Sequence, residues 1–386
     1  MNAPGVRILN SIEEVERAEW DGLAGHHVVT MHGWLAITEK SSLLPRRQFY
    51  FVVEDERGLA GGISCLVEET AHWMSLDRVL FGGLDVGMRA LGASTMPALV
   101  CGPDIGNGEA VLVRADADRE EQRRIAVHLI RAAEELARER GWSLCFRNVP
   151  ASGSLAAEIL RELRFPRTPE LPTTHLDLPE GGFREYRLAL RRTHPATEKN
   201  IAAERSKARR TGLEIRQVEH PGEHRVELHQ VMEQHYQRLN QRPFPYGPEF
   251  YEEMENRLQG SAWVFGAHLE GELVGTTLIL AHRGTAHLPM IGFDPVKGRA
   301  ASLYFNLCYN APIEWCAAAG YRHLALGRTT YGAKVRRGCR LVGMDTYVRP
   351  HSWMGRRVCS LFFPARARLL ERRVAESMGH GQQREG

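Results

Sequence analysis

Residues 287–343 read HLPMIGFDPVKGRAASLYFNLCYNAPIEWCAAAGYRHLALGRTTYGAKVRRGCRLVG, a strand, a Gly/basic turn, a helix, a second strand and a polar turn in succession. The strand over 287–293 stops at Asp294-Pro295. The turn over 296–301 then carries Lys297, Gly298 and Arg299, and an apolar-periodic run begins after Ser302. A strand entering a helix through a glycine turn gathers free backbone N–H groups and the positive end of a helix dipole at one point, which makes an anion site. The competing reading is an ordinary strand-to-helix connection, with Gly298 present for a positive φ and the two cations solvated.

Working outward, 386 residues with 43% apolar and 25% charged side chains describe a globular chain with room for two or three domains. The balance of 50 Lys and Arg against 47 Asp and Glu leaves +3, so any contact with nucleic acid or membrane has to be local. Seven scattered cysteines without a CxxC pair suit reduced core thiols, not disulfides or a zinc site, and no metal is expected. The first residues lack a signal-peptide pattern, and no apolar run approaches the roughly 18 residues of a membrane span. A cytoplasmic location is the expectation.

The start, SIEEVERAEWDGL, carries a capping-box spacing between Ser11 and Glu14 ahead of an amphipathic helix. MHGWLAITEKS forms a second helix, and RRQFYFVVEDERGLAGGISCLVEE a hairpin about 55–58. Residues 73–110 read as irregular structure with a short strand. A long charged helix over 118–141 ends at Gly141, and SLCFRNV is a strand.

Part of this pattern recurs. FVVEDERGLAGGISCL (51–66) matches VFGAHLEGELVGTTLI (264–279), with Gly58 opposite Gly271 and Gly62 opposite Gly275. RAAEELARERGWSLCF (131–146) matches NAPIEWCAAAGYRHLA (310–325), a helix closed by Gly-aromatic and leading into a strand. Two matching pairs in one order indicate a duplicated αβ unit, so the expected class is α/β with mixed central sheets flanked by helices. The units fall at 1–171 and 172–350, and 351–386 is a basic amphipathic segment with a disordered tail.

Between the copies, THLDL is a short strand, and 184–210 holds nine Lys and Arg against three acids, with a helix from about 196 to 210 after Pro195. This stretch is either a solvated linker helix or an arm that grips a phosphate-rich donor with Arg205, Lys207 and Arg209. RPFPYGP, between two helices, stiffens a loop whose Phe244 and Tyr246 either wall a substrate pocket or pack beneath it. The arginines of the C-terminal segment, interleaved with Trp353, Leu361 and Leu369, either meet anionic lipid or RNA or dock on the body of the protein.

No GxGxxG after a strand, GxxxxGK[ST], HExxH or GxSxG occurs, so dinucleotide, P-loop, zincin and hydrolase-elbow chemistry have no support. FNLCYNAPIEWCAAAGYRHLALGRTTYGAKVRRGC resembles the C-terminal unit of the FemAB-like, tandem GNAT acyltransferases. THLDL with its basic helix resembles the linker between their two units, and SIEEVERAEWDGL their usual start. The resemblance covers most of 7–350 and is most specific over 305–338. It implies transfer of an acyl group to an amine by direct attack, with acyl-CoA or acetyl-CoA as donor. The family's turn, Arg/Gln-x-x-Gly-x-Gly/Ala, is matched at Val296, Lys297, Gly298, Arg299, Ala300 and Ala301 as the donor-binding bend, except that Pro295 holds the first position.

The same resemblance places an acid for the leaving group at Tyr331. The reaction also needs donors for an oxyanion, for which backbone groups of Met290, Ile291 and Gly292 stand at the strand end, and a base, with Glu233, His235 and Asp294 as candidates. Arg328, Thr330 and Lys334 share the polar turn and suit a substrate carboxylate or phosphate. Three functions stay open: a CoA-dependent N-acyltransferase acting on a small amine, an aminoacyl-tRNA-dependent transferase of Fem type, and a catalytically silent GNAT-like binding protein.

Overall fold

The structure, a computed structural model, describes residues 5–44, 46–70, 75–103, 105–106 and 108–379, apart from the side chain of Asn240. Residues 380–386, part of the expected C-terminal tail, lie outside the described residues. The chain divides into two units. The first comprises Met1–Glu39, Leu44–Pro172 and Val342–Glu376; the second comprises Lys40–Leu43, Thr173–Leu341 and Ser377–Gly386.

In chain order the strands are β1 (Val6–Leu9), β2 (Arg46–Asp55), β3 (Gly58–Glu68), β4 (Ala98–Cys101), β5 (Leu112–Val113), β6 (Ser143–Pro150), β7 (Arg167–Asp177), β8 (Glu214–Val218), β9 (Ala262–Leu269), β10 (Glu272–His282), β11 (Thr285–Phe293), β12 (His323–Gly327) and β13 (Arg340–Arg349). In the first unit β1, β2, β3 and β4 pair antiparallel in sequence, β4 pairs β6 in parallel, and β13 closes antiparallel on β6. In the second, β8 to β11 pair antiparallel in the same way, β11 pairs β12 in parallel, and β7 closes antiparallel on β12. The duplication read from the sequence is therefore a duplication of topology.

The repeated glycines have matching physical duties. Gly58 and Gly271 turn their hairpins at φ 96° and 82°, in the left-handed region where a Cβ is costly. At Gly62 and Gly275 a Cβ would come within 2.7 Å of the Trp20 ring and 2.8 Å of Leu307, so each glycine lets a helix lie close on its sheet. Parallel neighbours need a crossover. The first unit supplies the helix Arg119–Arg140, capped by the Asp118 carboxylate and ended by Gly141 at φ 68°, which buries Ile125, Leu129, Ile130 and Ala133 against β2, β3 and β6. Each such Ile or Leu burial contributes roughly 1.5–3 kcal/mol. The second unit supplies Leu303–Phe305, a π-helical turn Asn306–Asn310 and the helix Ala311–Ala318.

Three expectations change. Residues 76–90, expected to be irregular, form short helices Leu76–Phe81 and Asp85–Ala90 before β4. Val342–Glu376, assigned in part to the second unit and in part to a separate segment, belongs to the first unit. The reason lies in packing: most of β13 pairs with β6, and Cys359 and Phe363 of the helix Trp353–Gly379 are buried beside Leu66, Leu80, Val100 and Val348. Finally, the strand around THLDL is the end of an eleven-residue β7.

Candidate active site

In the second unit β11 and β12 pair only from Thr285↔His323 to His287↔Ala325 and then part. A bulge at this level shifts the register of β11 on β10 between Leu278↔Met290 and Leu280↔His287, and Pro289, which has no N–H to give a ladder, sits in it. The parted ends enclose a cleft of about 400 Å³. Leu288, Pro289, Met290, Ile291 and Phe293 form one wall, and Leu326, Gly327, Arg328, Thr329 and Thr330 the other. His235, Arg238, Leu239, Tyr304, Cys308, Tyr309 and Lys334 complete the lining.

The open backbone of β11 can be located. Phe293 directs its N–H and C=O toward His235 Nδ1, at 3.4 and 3.3 Å, while the Met290 carbonyl accepts from Thr277 Oγ1 of β10 at 3.1 Å. Hydrogen-bonding direction alternates along an antiparallel strand. Ile291 therefore shares the outward direction of Phe293, and Met290 and Gly292 turn their amides to β10. Of the three residues expected to serve an oxyanion, Ile291 is the one with an N–H on the open side. Gly292 has another duty, since a Cβ there would meet Met232 Sδ at 2.7 Å.

The opposite side carries hydroxyls. Tyr304 Oη and Tyr309 Oη stand 2.9 Å apart, and each lies near Thr330 Oγ1, at 3.2 and 3.3 Å. Burial raises the pKa of both phenols, so both are protonated at neutral pH and able to donate. The polar turn beneath them is strained: Thr329 and Thr330 are consecutive β-branched residues at φ 67° and 47°. Lys334 holds that turn from below. It is buried and donates from Nζ to the carbonyls of Leu326 and Arg328 at 2.7 and 2.9 Å, and burial lowers its pKa to about 8.

His235 lies in the lining, its pKa lowered by burial. Arg238 approaches its Nδ1 at 3.0 Å, and a guanidinium can only donate. Nδ1 is thus the acceptor and Nε2 carries the proton of the neutral ring, which makes His235 a donor and not the base expected of it. Glu233 is not in the cleft. Its carboxylate accepts from the Phe244 N–H at 2.7 Å and from Gln237 at 2.9 Å, fixing the loop after its helix. Phe244 and Tyr246 are fully buried and packed against Phe250, so they are core and not pocket walls. Tyr331, expected as the acid, is 1% exposed and outside the lining, and the hydroxyls that face the cleft belong to Tyr304 and Tyr309. Arg328 and Thr330 are where the sequence placed them.

The glycine-cornered turn borders a smaller hollow of about 240 Å³ lined by Asp294, Gly298 and Arg299. Its donors are largely engaged. The Asp294 carboxylate accepts from the N–H groups of Val296 and Lys297 at 2.7 and 3.1 Å, Gly298 N–H reaches the Asp294 carbonyl, and Arg299 N–H reaches that of Val296. Lys297 pairs with Glu272 at 2.5 Å. Among the described residues, only the N–H groups of Ala300 and Ala301 in this bend meet no acceptor. Gly298 is required by Leu303, whose Cβ would lie 2.4 Å from an added Cβ. Asp294 is therefore a cap of its own turn, neither base nor partner for a phosphate.

Sequence reasoning did not single out Arg238, Tyr304, Tyr309 or Thr329. Tyr304 and Tyr309 are five apart, a spacing that separates side chains on a 3.6-residue helix; the π turn Asn306–Asn310, with its i→i+5 bonding, brings them together. The cluster TYGAK after a strand was the available signal for the strained turn.

Residues 195–335 match the family of acetyltransferase (GNAT) domains. No curated protein sequence matches the chain. Among solved structures, FemX aligns over 92% of this chain and 99% of its own with 10% identity and a TM-score of 0.56. The C-terminal domain of a putative lysylphosphatidylglycerol synthetase from Agrobacterium fabrum aligns over 92% and 97% with 12% identity and a TM-score of 0.55. Residues 195–335, within the second unit, thus match a GNAT acetyltransferase domain, and the chain, whose two units share one topology, has the fold of these solved structures.

Proposed function

We propose that the second unit moves an aminoacyl group from a tRNA ester to the amine of a small acceptor by direct attack in the cleft between β11 and β12. The observation that carries the choice of donor is Asp294. A carboxylate already occupies two of the amides that a CoA pyrophosphate would need, and its charge repels a phosphate at that point. The basic stretch supports an RNA carrier. Arg184, Arg192, Lys199, Lys207, Arg209 and Arg210 are exposed and, among the described residues, pair with no acid, whereas Arg205 is held by Glu314 at 2.5 Å and so drops out of the expected grip. The name of the Agrobacterium neighbour, a lysylphosphatidylglycerol synthetase, also describes aminoacyl transfer.

In this reading the amine attacks the ester carbon, and the Ile291 N–H and the Nε2–H of His235 stabilise the oxyanion. The C–O bond to the carrier then breaks, and the departing oxygen takes a proton from Tyr304 or Tyr309, while the attacking nitrogen releases one to solvent. Arg238 and Arg328 supply positive charge at the cleft for an acceptor carboxylate or a terminal phosphate of the carrier. Cleft residues include no carboxylate, so the amine has to arrive neutral.

A second reading, acyl-CoA as donor, is favoured by the two open amides at Ala300 and Ala301 and by Arg299 beside the smaller hollow. Label transfer from charged tRNA and from acetyl-CoA to a pool of amines separates the two. Expected are transfer from tRNA and salt-sensitive tRNA binding that weakens when Lys207, Arg209 and Arg210 become Ala. Saturable stabilisation by acetyl-CoA with acetyl transfer, and no tRNA binding, overturns the tRNA reading in favour of the CoA one.

A further inference from the structure

The helix Trp353–Gly379 has two apolar faces, and the first unit covers one of them. Cys359 and Phe363 are buried, and the Phe362 ring lies tilted against Phe81 with ring centroids 5.6 Å apart. On the opposite side, positions 353, 357, 361, 364, 368 and 372 recur at spacings of three and four and so share one ridge. Trp353 is 64% exposed and Leu361 73%, with Arg357, Arg368 and Arg372 exposed between and beyond them. None of these arginines pairs with an acid among the described residues. The segment that meets the helix through Phe81, and the residue before the helix through Gly92, leaves Leu84, Val86 and Leu91 more than half exposed.

Large apolar side chains in water cost free energy unless something covers them. A second copy of the same face would set arginine against arginine, which opposes an isologous dimer. A polyanion such as RNA would satisfy the arginines and leave the tryptophan and leucines wet. A sheet of anionic headgroups over an apolar interior satisfies both: arginines meet phosphates, the Trp353 ring sits at headgroup depth, and Leu361 reaches the acyl boundary. No described helix is long and apolar enough to cross a membrane, so the contact would be peripheral.

We propose that this outward ridge of the helix Trp353–Gly379 docks on an anionic phospholipid bilayer. The inference uses no residue of the cleft and is independent of the donor assigned above. The test is flotation of the full-length protein with vesicles of phosphatidylcholine alone or mixed with phosphatidylglycerol. Binding is expected for the mixed vesicles and not for phosphatidylcholine. It should fall on the order of tenfold or more in Arg357→Glu/Arg368→Glu/Arg372→Glu and equally in Trp353→Ala/Leu361→Ser. Quenching of protein fluorescence by bromine-labelled phosphatidylglycerol, lost in Trp353→Phe, gives the same answer should a multiple variant fail to fold. Absence of flotation with mixed vesicles overturns the proposal. So does flotation unchanged in the Trp353→Ala/Leu361→Ser protein, which would mark a polyanion contact, or a concentration-dependent dimer abolished by those substitutions.

Discussion

Tyr304 and Tyr309 hold their protons because burial disfavours the phenolate, and that is what a leaving-group acid requires. Replacing either by Phe should lower kcat by about 10²-fold with little change in thermal midpoint. Tyr331→Phe, buried and outside the lining, should act on stability and leave the chemical step nearly unchanged; transfer assays on the three variants decide. Proton linkage gives a second test. Burial lowers His27 and His175 to about 4 from an ordinary 6.5. Below 6.5 the unfolded chain binds protons that the folded chain refuses until about 4. Their contribution is thus complete above 6.5 and is lost as pH falls toward 4. Urea midpoints measured at pH 7 and 5 should show this loss, and His27→Gln with His175→Asn should flatten the slope. Single residues were the least legible scale. The family resemblance put the acid at Tyr331, yet the direction of a side chain at the start of a short helix depends on packing that spacing does not reveal. Glu233 and Asp294 looked like bases, and both turned out to cap local amides.

Elements explain why the cleft keeps its shape. The turn after β12 places two β-branched residues in a left-handed conformation at a cost of about 1–3 kcal/mol each, and Lys334 restrains it through two carbonyls. Thr329→Gly should therefore raise folding stability by about 1 kcal/mol in urea titration while lowering turnover, because a relaxed turn no longer fixes Thr330 against the tyrosines. At the other bend, Gly298→Ala should destabilise by about 1–3 kcal/mol through the clash with Leu303, and adding Leu303→Ala should cost less than the sum of the two single changes. Strands and helices were well marked in the sequence, because hairpin glycines, Asp118 and Gly141 act over a few residues. The bulge at Pro289 and the π turn were not, since each is a local departure from the period by which its element is recognised.

The whole molecule repeats one topology, and each copy is closed by a strand that follows the other copy: β7 closes on β12, and β13 closes on β6. Gly58, Gly62, Gly271 and Gly275 made the duplication visible, but nothing local to β13 tells which edge it will join, because β6 and β12 both offer a largely buried partner strand. A fragment of residues 1–172 lacks β13 and the helix that covers Leu66, Leu80 and Val100. It should express as insoluble or poorly ordered protein, and supplying 342–376 as a second chain should restore soluble material with strand and helix signals in circular dichroism.

That arrangement inverts the order of manufacture. The half of the polypeptide that is made earlier is completed later, since its closing strand β13 follows every strand of the second half in the chain. A chain cut short before β13 would carry an unfinished first half with a raw sheet border, which quality-control proteases can attack, while a chain that includes β13 conceals that border.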